Sequence, residues 1–118
     1  MSDATEKFFD ELARRGHEPA LTSVAGRVRF DIVDAEHTDH WLVHIDHGAI
    51  TVSRHKRKAD CTVRADVDVF DRLARGEDNA MAATLRGALV CSGDVDLLLA
   101  IQKLFPGPGP EQHEPGAS

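Results

Sequence analysis

Two stretches of strict alternation decide what this chain can fold into. In "GRVRFDIVD", Val28, Phe30 and Ile32 alternate with Arg27, Arg29 and Asp31. In "HWLVHIDHGAITVS", Trp41, Val43 and Ile45 alternate ahead of a turn-like "DHG" that leads into "AITVS". A period of two sends every second side chain to one face of an extended strand, so both stretches describe strands with one apolar and one wet face. An apolar sheet face must be covered by other elements, and the rest of the chain has to supply them.

The same region holds His37, His40, His44 and His47. On a helix these positions would share one face like a set of metal ligands. On a strand, His40 and His44 lie on one face about 13 Å apart, at about 3.3 Å per residue, and His47 has the opposite parity. Metal–imidazole bonds are only about 2 Å long, so the four rings cannot close round one ion. The expectation is a solvated strand face and turn, able to respond near neutral pH. No metal or other cofactor is expected.

Helical patterns flank the strands. "SDATEKFFDELARRGH" offers Ser2 or Asp3 as a cap, Glu6 three residues after Asp3, an apolar stripe of Phe8, Phe9, Leu12 and Ala13, and Gly16 as a stop. After the third strand a basic loop, Arg54 to Lys58, leads to a fourth strand built on Cys61, Val63 and Ala65. Arg54, Lys56, Arg57 and Lys58 form either a contact patch for anionic membrane or a charged hairpin loop that keeps a sheet edge soluble, and the second reading is preferred. Val69, Phe70, Leu73 and Ala74 then repeat at helical spacing behind a cap at Asp66 or Asp68 and before Gly76. "NAMAATLRG" predicts a short helix capped by Asp78 or Asn79, with Met81 and Leu85 one turn apart. "ALVCSGD" predicts the last strand, and Asp94 caps "VDLLLAIQKLF", whose Leu97, Leu98, Ile101, Leu104 and Phe105 make a wide apolar face. "PGPGPEQHEPGAS" predicts a disordered tail over 106–118, which leaves one domain over 1–105.

Composition narrows the function classes. A chain of 118 residues with 42% hydrophobic residues builds one core, and a net charge of −6 argues against nucleic acid as a partner. The polar N-terminal stretch has no apolar signal core, and no apolar run approaches the roughly 20 residues of a membrane span, so a cytoplasmic setting is expected. Cys61 and Cys91 lie outside any Cys-x-x-Cys pattern and read as reduced packing residues. No nucleophile elbow, phosphate loop, dinucleotide fingerprint or zinc-protease motif occurs, and there is no tyrosine. His44 with Asp46 on one strand face, and Cys91 near the start of the last helix, are the two constellations that can be read catalytically. A surface pair and an inert thiol are the preferred readings, so no catalytic residue is assigned.

The order of these elements resembles the sterol carrier protein 2 domain from about Thr5 to Phe105. The resemblance rests on "GRVRFDIVD", on "WLVHIDHGAITVSRHKRKADCTVRADVDVFDRLARGE", and above all on "NAMAATLRGALVCSGDVDLLLAIQKLF". It implies an α/β (α+β) fold with a five-stranded mixed sheet, helices packed over one face, and an apolar tunnel between them. It also implies a non-enzymatic carrier of fatty acyl chains, acyl-CoA, phospholipids or sterols, as in standalone bacterial members. The lining expected on this basis is Phe70, Leu73, Met81, Leu85, Leu98, Ile101 and Phe105. The alternative within the same fold is a structural, dimerisation or interaction module without a dedicated ligand. Monomer and dimer are both compatible with the sequence.

Overall fold

In a computed structural model, residues 3–55 and 57–105 build helix α1 (Asp3–Arg15), strands β1 (Ala25–Asp34), β2 (His37–Asp46), β3 (Ala49–Ser53) and β4 (Cys61–Asp66), helices α2 (Val67–Ala74) and α3 (Ala80–Leu85), strand β5 (Leu89–Gly93) and helix α4 (Val95–Ile101). Short 3-10 turns follow α1 at Pro19–Leu21 and α4 at Gln102–Leu104. The cap at Ser2, the share of Lys56 in the basic loop and the tail over 106–118 lie outside the described residues.

The strands form one sheet in the order β3-β2-β1-β4-β5, with β1 and β4 parallel and the other pairs antiparallel. Register aligns the alternating residues: Val28 faces Val43 and Cys61, Phe30 faces Trp41 and Val63, and Ala65 faces Leu89. One sheet face is therefore continuously apolar, as the period-two pattern requires. Between β2 and β3, His47 and Gly48 have φ of 51° and 96°. Both central residues of this two-residue hairpin are left-handed, the condition under which the turn matches strand twist.

The basic loop is not a hairpin. β3 and β4 are separated by β2 and β1, so the connection between these two strands crosses the sheet instead of reversing along its edge. Two features tie this crossover down. The Arg27 amide donates to the Asp60 carboxylate at 2.8 Å while the Asp60 amide donates to the Arg27 carbonyl at 3.0 Å. At the other end Arg54 lies 4.3 Å from the Trp41 ring centroid and donates to Asp39 at 3.0 Å.

Two helix starts are capped by local side chains. Asn79 accepts from the Met81 and Ala82 amides, and Asp94 from those of Asp96 and Leu97. Asp66 precedes α2 in an extended conformation without a side-chain cap bond. At the end of β5, Gly93 has φ of 111°, and a Cβ there would collide with the Asp60 carbonyl, so a side chain at this position is excluded twice over.

The helices cover the apolar face. Phe9, Leu12, Phe70, Leu73, Leu97, Ile101 and Leu104 are buried against Val28, Phe30, Ile32, Val43, Ile45 and Val63. Ala13, read as part of the α1 stripe, is exposed. The chain's five phenylalanines and single tryptophan form one contiguous cluster. Phe9 stacks on Trp41 at 4.4 Å and on Phe70 at 5.4 Å.

The opposite sheet face is polar but not uniformly wet. Asp31 is buried there, taking two hydrogen bonds from Arg29 at 3.0 and 3.1 Å and one from His40 Nδ1 at 2.7 Å. The His40 side chain is only 24% exposed, which corrects the expectation that it stands on a solvated face. Burial on its own raises the Asp31 pKa, but the bonds from His40 and Arg29, with the Arg29 charge, outweigh it and hold the carboxyl below 3.8. A carboxyl depressed on folding stabilises the protein above its unfolded pKa and loses that contribution as pH falls through the folded one. Asp31→Asn is therefore expected to cost about 1–3 kcal/mol at neutral pH. Urea titrations should also show less loss of stability below pH 4 in the variant than in the parent protein.

Candidate binding cavity

Six residues of α1, Ala4, Lys7, Phe8, Glu11, Leu12 and Arg15, recur at intervals of three and four, the spacing that gathers side chains on one helix face. They form one wall of a cavity of about 620 Å³. Ala74 and Arg75 at the end of α2 form the second wall, and Lys103, Leu104 and Phe105 form the third. Phe8, Leu12, Leu104 and Phe105 give it an apolar floor. Phe8 and Phe105 lie nearly parallel at 4.9 Å and separate the cavity from Phe70 behind them.

The walls are held by a buried polar clasp. Thr5 Oγ1 donates to Asp71 Oδ1 at 2.5 Å, and both residues are buried between α1 and α2. The rim is charged: Lys7, Arg15, Arg75 and Lys103 surround a single acid, Glu11. Arg14 bonds Glu11, Arg15 bonds Glu18, and Arg75 lies 3.3 Å from Glu77.

Of the seven residues expected to line a ligand site, Phe105 lines this cavity. Phe70, Leu73 and Ile101 are buried in the core, and Leu98 is half-buried against it. Met81 is 40% and Leu85 81% exposed on α3, away from the cavity walls. Phe8, Leu12, Ala74, Leu104 and the basic rim were not anticipated. A signal for part of this was available, because α1 carries two adjacent faces: Phe9 belongs to the sheet side and Phe8, 100° round the helix, to the cavity side.

The catalytic alternatives lose their geometry. Asp46 accepts from His47 Nδ1 at 3.0 Å, so its carboxylate is engaged by the neighbour at the turn and not by His44. Burial raises the Cys91 pKa, only partly countered by a hydrogen bond with Thr84, and burial with nearby Cys91, Asp94 and Asp60 raises Cys61 to about 12. Both thiols stay protonated at neutral pH, which leaves no thiolate to act as a nucleophile. Among the described residues no three His, Cys, Asp or Glu side chains converge as a metal-binding group. No helix there is long and apolar enough to cross a membrane.

A family model described as the SCP-2 sterol transfer family matches residues 8–106. Sterol carrier protein 2 from Aedes aegypti in complex with palmitate is similar in fold, with a TM-score of 0.69, 20% identity, and coverage of 87% of this chain and 94% of that one. Sterol carrier protein 2 from Yarrowia lipolytica in its apo form gives a TM-score of 0.68 and 20% identity, over 86% and 98% of the two chains. A double mutant of the sec-alkyl sulfatase PisA1 contains a similar unit, at a TM-score of 0.64 and 20% identity, over 93% of this chain and 17% of the sulfatase. No curated protein matches the chain in sequence.

The Thr5–Asp71 clasp generates a direct test. Thr5→Val keeps the shape but removes the donor to a buried carboxylate, and it is expected to cost about 1.5–3 kcal/mol in denaturant unfolding. Thr5→Ser, which retains the hydroxyl, should recover most of that loss.

Proposed function

From the premise that the chain belongs to the SCP-2 sterol transfer family, we propose that it is a non-enzymatic, cytoplasmic lipid carrier that holds an acyl chain or similar apolar ligand in the cavity of α1, α2 and the Gln102–Leu104 turn. The observation that carries this reading is the cavity itself: about 620 Å³ with an apolar floor, a size within the roughly 300–1,000 Å³ of small-molecule sites. Burying about 400 Å² of apolar ligand surface at about 25 cal/mol/Å² contributes roughly 10 kcal/mol before association costs of several kcal/mol. Micromolar binding then needs no covalent step and no cofactor.

Phe105 contacts the ligand directly in this reading. A longer chain reaches Phe70, Leu73, Ile101 and Leu98 only when the Phe8 and Phe105 rings turn aside, since their 4.9 Å stack leaves no room between them. Met81 and Leu85 contribute to the outer surface of α3. Arg57 and Lys58 remain available for anionic membrane, whereas Arg54 is held by Asp39 and Trp41.

A second reading, an interaction module, draws on two observations. Leu85, Val90, Val95 and Leu99 are all more than half exposed, and a unit of this fold forms part of a larger sulfatase chain. Lipid uptake separates the two. Native mass spectrometry of protein purified from cells is expected to show a bound lipid, or fluorescent fatty-acid displacement to show saturable uptake. Ala74→Phe, which fills the cavity from a half-buried wall position, should weaken that uptake at least about ten-fold with little change in Tm. Absence of uptake across fatty acids, phospholipids and sterols favours the interaction module.

A further inference from the structure

The charge at the cavity mouth runs against that of the chain. The protein carries a net charge of −6, yet four cations and one acid border this cavity. Three of these five groups already have partners: Glu11 is bonded by Arg14, Arg15 bonds Glu18, and Arg75 pairs with Glu77. Lys7 and Lys103 have no ionic partner among the described residues. They reach the same cavity from two different elements, α1 and the Gln102–Leu104 turn, and both are exposed.

Resting on the lipid-carrier reading of this cavity, we propose that Lys7 and Lys103 together form a head-group site for one anionic group, a carboxylate or phosphate, at the end of an apolar tail. Two ammonium groups on flexible four-carbon stems suit this role, because the stems pack along an apolar wall while the charges stay at the wet mouth. The mouth is open to solvent, so the head group keeps part of its hydration and the full cost of burying a charge does not arise. The arrangement sets the orientation of the ligand. Its tail lies on Phe8, Leu12, Leu104 and Phe105, and its charged end faces outward between α1 and the C-terminal turn. It also sets selectivity, since a neutral ester or a sterol leaves both ammonium groups without an anionic partner.

The test compares palmitate, lysophosphatidic acid and methyl palmitate on the full chain. Lys7→Gln, Lys103→Gln and the double variant are measured beside the parent by displacement titration at low and high salt. The parent is expected to bind at least one of the two anionic lipids about ten-fold or more tightly than the methyl ester, with an advantage that shrinks as salt screens the exposed charges. The relative strength of palmitate and lysophosphatidic acid assigns the site to carboxylate or phosphate. The double variant should bring the anionic lipid down to the affinity of the ester and leave the ester unchanged. Arg75→Gln, which alters a cation already paired, should have the smaller effect. Equal binding of ester and anionic lipids by the parent, or an advantage that survives the double substitution, overturns the head-group site while the carrier reading stands. Failure of all three lipids to bind overturns the head-group site, and sterol uptake then decides the carrier reading separately.

Discussion

The packing of Phe9 between sheet and helix is the contact on which the remaining structure depends. Its ring stacks on Trp41 of β2 and on Phe70 of α2, meets Phe30 of β1 edge-on at 5.4 Å, and touches Phe8 of its own helix at 5.2 Å. One fully buried side chain thereby joins α1, α2 and the adjacent strands β1 and β2. Aromatic pairs of this kind each add about 0.5–1.5 kcal/mol beyond the area they bury. Because all six aromatic residues of the chain sit in the same cluster, little aromatic surface is left to stabilise any other arrangement of the helices. The cluster carries one cost, since Trp41 Nε1 is buried without a hydrogen-bond acceptor among the described residues. Arg54 and Phe9 compensate by packing against the indole ring.

That filling explains where the void is. With Phe9, Phe30, Phe70 and Trp41 occupying the layer between sheet and helices, the open space falls outside them, on the second face of α1. Phe8 and Phe105 divide the two regions. They are apolar enough to belong to either, and their rings stack on each other at 4.9 Å. A helix packed on both sides would normally be apolar around most of its circumference. α1 instead alternates its apolar cavity residues with Lys7, Glu11 and Arg15, which keeps that face compatible with water when the cavity is empty.

The sheet distributes charge by the same economy. Its outer face ties Arg29, Asp31 and His40 into one hydrogen-bonded group, and the Arg57 carbonyl in the crossover accepts from Arg29 at 3.3 Å. The basic segment is thus partly built into the fold. Lys7 and Lys103, which have no ionic partner among the described residues, stand at the cavity mouth on elements distant from one another in the chain.

Local chemistry was legible in the chain. The period-two stretches identified β1 and β2, paired left-handed residues at His47 and Gly48 made the hairpin, and Asn79 and Asp94 marked two helix starts, because each of these depends on neighbours within a few residues. Which strands lie side by side did not follow from them. Alternation tells which face a side chain occupies but not which strand is its neighbour, so a crossover and a hairpin looked alike between Ser53 and Cys61. The same limit applied to the site. Phe105 borders the cavity, whereas Met81 and Leu85, with the same local spacing, are exposed on α3. An apolar residue at helical spacing is bound to face something, and only the tertiary packing decided whether that something was core, cavity or water. The sequence alone determined strands, turns, caps and an apolar sheet face to be covered; three-dimensional packing decided the strand order, filled the layer with aromatic rings, and drew Lys7, Ala74 and Phe105 together from three separate elements.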